Sequence, residues 1–212
     1  MATAGRGAAP PTHRRDADRN RQAILLAAHR LYAEHPGAPL SEVARVAGVG
    51  QATLYRHFPD RSTLMGTLAR EALDDLTTPL SDGSTPPLSR AERLELVAHG
   101  LADSRPLLET VRGALATAPA TRDEQGRTAV SRLRVAVMGG PPAPFEASPP
   151  SFEETDDAEI VLAMLCGALE TAAADPARRA QIARRAAQIA ERALDAIVPT
   201  RPTGPHRDDD PH

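Results

Sequence analysis

The chain has no tryptophan and no lysine, a single cysteine, and only two tyrosines and three phenylalanines in 212 residues. One thiol excludes an intramolecular disulfide framework and a multi-cysteine zinc site. Cys166 stands in the apolar run IVLAMLCGAL, where it reads as a small buried hydrophobe rather than a redox switch. With lysine absent, all 25 basic side chains are arginine, which together with abundant Ala, Pro and Gly points to a GC-rich genome. No run approaches the roughly 18 apolar residues that would span a bilayer, and the N-terminus lacks the apolar core of a signal peptide. A cytoplasmic protein without membrane contact is expected.

Enzyme chemistry is equally thin. No Ser, Cys or His sits in a nucleophile motif, and no glycine-rich phosphate loop follows a strand. His29, His35 and His99 stand apart from any carboxylate or cysteine at ligand spacing. His206 and His212 with Asp208, Asp209 and Asp210 read as a solvating tail, not a metal site. The expectation is a non-enzyme with no cofactor and no metal.

Net charge is −3, which by itself argues against nucleic acid. Its distribution reverses that inference. Residues 1–61 hold nine arginines against five acids, whereas residues 62–212 hold sixteen against twenty-three. A basic end on an acidic body is the footprint of a chain that meets DNA at one end only.

The pattern is helical throughout. Residues 1–15, rich in Gly, Ala and Pro with Arg6, Arg14 and Arg15, read as a disordered arm, either an idle tail or a basic arm adding phosphate or minor-groove contacts. From Asp18, with Asp16 or Asp18 as cap, Ile24, Ala27, Ala28 and Leu31 recur at helical spacing until Pro36-Gly37. Two short helices follow, Ser41 to Ala47 and Gln51 to Phe58, joined by Gly48-Val49-Gly50. Val43, Ala44, Ala47, Val49 and Leu54 fall where a helix-turn-helix buries its inner faces, and Gly48 stands where a helix end needs positive φ. The spacing of Leu64, Leu68, Ala72 and Leu76 predicts a helix from Asp60 or Arg61 to about Leu76, and Thr77 to Leu88 reads as a loop. Ser89-Arg90-Ala91-Glu92 is a capping box opening a helix to about Ala102. Further helices are expected from near Pro106 to before Pro119, from about Thr121 to Met138, from Asp156 to Ala174, and from Asp175-Pro176 to Val198. Gly139 to Pro150 is a proline-rich loop without evident chemistry, and the tail 199–212 cannot form a core.

The residues AGVGQATLYRHFPDRSTL, with a Gly-x-Gly turn, Thr-Leu-Tyr and a Phe-Pro pair ahead of a new helix, resemble the TetR family of bacterial transcription regulators. The likeness is detailed over Arg19 to Arg70 and reaches only the helical outline beyond. It implies an all-α protein: an N-terminal three-helix helix-turn-helix DNA-binding domain at 16–60, then an α-helical ligand-binding and dimerisation domain at 61–198.

The second short helix carries the groups a DNA reader needs. Gln51 can make bidentate contact with adenine and Arg56 with guanine, and Ala52 offers a small apolar surface to a thymine methyl. The resemblance makes Thr53, Tyr55 and His57 phosphate contacts, and Arg61 stands where the family usually has a backbone-binding lysine. Tyr55 is otherwise a partly buried packing aromatic, and His57 a solvated surface residue. Two positions depart from the family pattern. Gly50 replaces a capping Ser or Thr and Gln51 a common lysine, which leaves one phosphate or base contact fewer.

One such helix reads only a few base pairs, so a homodimer on a palindromic double-stranded operator is expected. The stripe of the last two helices suits an intersubunit four-helix bundle, or else simply the internal core. The arginines Arg178, Arg179, Arg184, Arg185 and Arg192 read as a solvated face. By resemblance, a small-molecule effector would lie among Leu101, Leu108, Val111, Leu115, Leu133, Val137, Met138, Leu162 and Leu165, each also readable as plain core. With Phe145 and Phe152 the only aromatics beyond the DNA-binding part, a small or aliphatic effector is expected.

Overall fold

The structure, a computed structural model, describes residues 11–81, 86–139, 152–170 and 176–197. These residues form the helices α1 (Pro11–Glu34), α2 (Leu40–Ala47), α3 (Gln51–His57), α4 (Arg61–Ser81), α5 (Arg90–Asp103), α6 (Arg105–Leu115), α7 (Glu124–Met138), α8 (Phe152–Glu170) and α9 (Pro176–Ile197). A 3₁₀ turn, Pro119–Thr121, leads into α7. No strand occurs among the described residues. The expected residues 1–10 of the arm, the Gly140 to Pro150 part of the loop, Asp175 and the tail 199–212 lie outside them.

Burial divides the chain into two cores. The first gathers Ile24, Leu25, Ala28 and Tyr32 of α1, Val43 and Ala44 of α2, Leu54, Phe58, and Leu64 and Leu68 of α4. The second gathers the aliphatic faces of α5 to α9 together with Ala69, Leu73 and Leu76 of α4. Helix α4 therefore serves both, and the core changes between Leu68 and Ala69. Leu64 and Leu68 face the first core although they lie beyond the Phe-Pro break and beyond the boundary expected before Arg61. In the second core α9 runs along α5 and α8, while α6 and α7 pack beside α4.

Local chemistry explains most helix ends. Ser89 accepts from the Glu92 amide and the Glu92 carboxylate accepts from the Ser89 amide, closing the expected capping box. Ser104 and Asp123 cap α6 and α7, each accepting from an amide three residues on. Gly139 ends α7 at φ 75°, and the Arg93 guanidinium donates to the last carbonyls, Val137 O at 3.2 Å and Met138 O at 3.4 Å. A cation and its donors are favourable at that negative helix end.

Several ends differ from expectation. Helix α1 starts at Pro11, well before Asp18, since proline fits a first turn where its missing N–H has no partner to lose. Helix α4 continues past Leu76 and through Pro79 to Ser81. Thr77 is buried and its hydroxyl donates to Leu73 O at 2.8 Å, while Arg132 of α7 donates to both Asp74 and Thr77. Packing against α7 thus outweighs the proline signal. Helix α7 begins at Glu124, three residues after the expected Thr121, because Asp123 rather than Thr121 caps it. Helix α8 begins at Phe152, ahead of Asp156.

A buried ion pair ties α8 to the α6–α7 connection. Arg122 is 8% exposed and makes a bidentate pair with Glu159 at 2.8 and 2.7 Å, while its Nε donates to Ala114 O at 2.7 Å. No described helix is long and apolar enough to cross a membrane.

Candidate nucleic-acid interface

The turn between α2 and α3 is set by glycine. Gly48 takes φ 69°, ψ 25°, a left-handed conformation that a β-carbon would strain, and its N–H and that of Val49 close onto Arg45 O and Ala44 O. Gly50 then precedes α3 in extended conformation, and no side chain caps the helix. Seven residues cannot hold a helix in water alone. Leu54 and Phe58, both fully buried, fix α3 to α1 and α2, and Gly50 O accepts from the Thr53 and Leu54 amides.

That anchoring decides which residues face outward. Gln51, Ala52, Tyr55 and Arg56 are exposed, with Tyr55 at 47%. Thr53 and His57 are half-buried. The His57 ring tilts against Phe58, and its Nε2 is buried without a hydrogen-bond partner. Burial first, then the charges of Arg56 and Arg21, lower its pKa, with Asp18 opposing. His57 is thus half-buried rather than fully solvated, and its surroundings disfavour the cation.

Arg61 is engaged within the protein. Its guanidinium lies 4.8 Å over the Tyr32 ring and donates to Pro36 O, so it clasps the start of α4 to the end of α1. Burial raises the Tyr32 phenol, and the Arg61 charge pulls partly the other way. Next to it Asp60 accepts from the Thr63 amide at 2.7 Å, and this bond holds its carboxyl below the usual range. Arg21 was not singled out by sequence, yet it stacks 4.8 Å over Phe58 at the base of α3. A lone arginine on a long polar helix face carries no local signal of that contact.

A separate cleft of about 600 Å³ opens between α4, α6 and the start of α7. Thr63, Gly66, Thr67 and Arg70 line one wall, Leu107 and Thr110 the second, and Asp123 to Gln125 with Thr128 the third. None of the nine aliphatic residues expected around an effector lines it. Leu101, Leu108, Val111, Leu133, Val137, Leu162 and Leu165 are buried in the second core, and Leu115 and Met138 pack against it.

Residues 24–68 match the family model described as "Bacterial regulatory proteins, tetR family", a match that ends at the last residue of the first core. The chain is 46% identical over 57 residues to the HTH-type transcriptional repressor LfrR of Mycolicibacterium smegmatis, covering 27% of this chain and 30% of that protein. It is 39% identical over 67 residues to an HTH-type transcriptional regulator of Staphylococcus aureus strain USA300, covering 31% and 36%. The aligned stretches thus span about a third of these relatives' own length. Among solved structures, LfrR from Mycobacterium smegmatis in complex with proflavine superimposes with a TM-score of 0.54 at 22% identity, over 83% of this chain and 96% of that one. A tetR-family regulator from Streptomyces coelicolor gives 0.55 at 17%, over 85% and 82%. At these identities the likeness is one of fold.

Proposed function

We propose that this chain, whose residues 24–68 match the tetR-family model, is a sequence-specific DNA-binding transcriptional regulator of that family, a repressor whose operator binding a small molecule modulates. The observation that carries this reading is the exposed row Gln51, Ala52, Tyr55 and Arg56 on a helix locked to a packed core. Such a row can enter a major groove without reordering. Gln51 and Arg56 suit adenine and guanine edges, and Tyr55, Thr53 and His57 supply neutral donors to phosphates. Arg61 acts by holding the module together rather than by reaching phosphate.

The partners follow from geometry. A single seven-residue helix reads too little sequence, so two copies on a palindromic operator are needed. Ile160, Ala163, Met164 and Gly167 are exposed along one face of α8, and Ile189 is 50% exposed on α9. Apolar positions three and four apart on adjoining helices suit burial against a second copy. In the dimer, a change in the tilt of α4 alters the separation of the two α3 helices and so selects the DNA-binding state. LfrR was solved with proflavine, a property of that protein. Here Phe145 and Phe152 are the only Phe, Tyr or Trp residues after residue 61, so the sequence offers a planar drug few stacking partners.

The test is selection of bound fragments from genomic DNA, followed by anisotropy titration of the winner at two salt concentrations. A palindromic site bound steeply with salt is expected. Arg56→Ala should then relax preference at one base position per half-site and cost about 1–3 kcal/mol there. Enrichment of no sequence would remove the proposal.

A further inference from the structure

The cleft between α4, α6 and α7 has an unusual donor balance. Thr67, Thr110 and Thr128 each give their hydroxyl proton to a carbonyl of their own helix, Thr63 O, Pro106 O and Glu124 O, all at 2.9 Å. Their oxygens therefore face a guest as acceptors. Gln125 donates its Nε2 to Gly66 O at 2.7 Å, which leaves Oε1 as an acceptor too. Asp123 and Glu124 add carboxylates, and Arg70, exposed at the rim, is the one cation among the lining residues. The positive end of α7 is already met by Asp123 Oδ1 on the Gly126 amide at 2.7 Å and by Glu124 in its first turn. An anion would find Arg70 but two carboxylates against it.

We infer that this cleft binds a small aliphatic cation bearing several N–H donors, an amine or polyamine, between the connector helix and the α6–α7 connection. Its volume lies in the range of small-molecule sites, about 300–1,000 Å³. Ala69, Leu73, Leu107 and Ala129 supply an apolar floor for methylene groups, while the hydroxyl, amide and carboxylate oxygens take the ammonium protons. The site differs from the aliphatic core once expected to hold an effector.

The position of the cleft gives a guest leverage on α4. Gln125 lies so close to Gly66 that a β-carbon there would sit 2.7 Å from Oε1, so α7 and α4 already touch through a side chain fitted to a glycine. The same wall reaches Ser62 and Thr63, in the first turn of α4. A cation bridging Thr63 and Thr67 to Glu124 and Thr128 fixes the angle at which α4 leaves the body. This regulatory consequence rests on the proposed DNA binding, whereas the binding site itself does not.

The experiment titrates the full chain calorimetrically with spermidine, and with glutarate and 1,5-pentanediol as anionic and neutral controls, in the absence of DNA. Saturable spermidine binding at one site per chain and none of either control is expected. Glu124→Gln should weaken it about ten-fold and Thr128→Val about three-fold, with both variants retaining the native thermal transition. No saturable spermidine binding, equal binding of glutarate, or indifference to both substitutions overturns the site. Operator titration on the same samples separates the two ideas. Specific DNA binding without spermidine binding leaves the regulator and removes the site; spermidine binding without any operator leaves the site and removes the regulator.

Discussion

The two cores of this chain answer to different constraints. The N-terminal core, ending at Leu68, holds a short helix at a fixed angle with particular polar groups outward, so both its inner and outer residues matter. The core of α5 to α9 needs only apolar volume at helical spacing, and leucine, valine and alanine supply it in many interchangeable orders. The comparisons divide along the same line. Identity of 46% is confined to 57 residues, whereas the fold likeness extends over 83% of the chain at 22%.

If the N-terminal core is energetically its own unit, damage there should stay there. Leu54 is fully buried under α3. Leu54→Ala should cost about 3–5 kcal/mol, the transfer of the side chain plus the cavity left behind. Calorimetry should show an early transition with operator binding lost, and the transition of the α5 to α9 body unmoved. A single transition that shifts as a whole would show instead that α4 welds the two cores into one cooperative unit.

The same division governs what was legible from sequence. Gly48, the Ser89 to Glu92 capping box and the outward face of α3 were readable because each rests on local chemistry: a positive φ, a reciprocal cap, a helical spacing. The α4 end was not, because Arg132, more than fifty residues away, bonds the buried Thr77 and overrides Pro79. Arg61 was assigned to phosphate by resemblance, and only the placement of Tyr32 and Pro36 shows its internal role. The cleft escaped for a similar reason. Threonines on three helices carry no pattern until packing brings them together.

At Arg122 the body has a position where chemistry rather than volume is at stake. Arg122→Met keeps much of the stem but strands the Glu159 carboxylate and Ala114 O. Breaking a buried pair on one side costs about 3–5 kcal/mol, and the lower end applies because the Glu159 side chain is 21% exposed. Urea denaturation should register this loss in the body. The Arg122 hydrogen bonds, followed by its charge and against the pull of burial, lower the Glu159 pKa below 4.5. Its contribution is therefore present above that ordinary value and is lost as pH falls through the lowered folded one. The difference in stability between the parent and Arg122→Met should accordingly be full at pH 7 and shrink on acidification below about pH 4. A difference constant down to pH 2 would mean that the pair contributes packing alone.

The smallest effect probes the N-terminal core at its least constrained point. Gly50 stands at φ −67°, ψ 147°, which any residue adopts, and a β-carbon there would meet nothing within 4 Å. Within the free protein its missing side chain has no structural purpose. Gly50→Ser should place a hydroxyl to accept from the Ala52 or Thr53 amide and stabilise α3 by a few tenths of a kcal/mol. Slower amide exchange at the start of α3 would register it more sensitively than the melting temperature. Operator titration supplies the informative comparison. Unchanged or tighter binding would mean that the glycine is merely tolerated as a cap. A fall in affinity despite the firmer helix would mean that DNA approaches the backbone at Gly50 more closely than a side chain permits, and would place a phosphate at the mouth of α3.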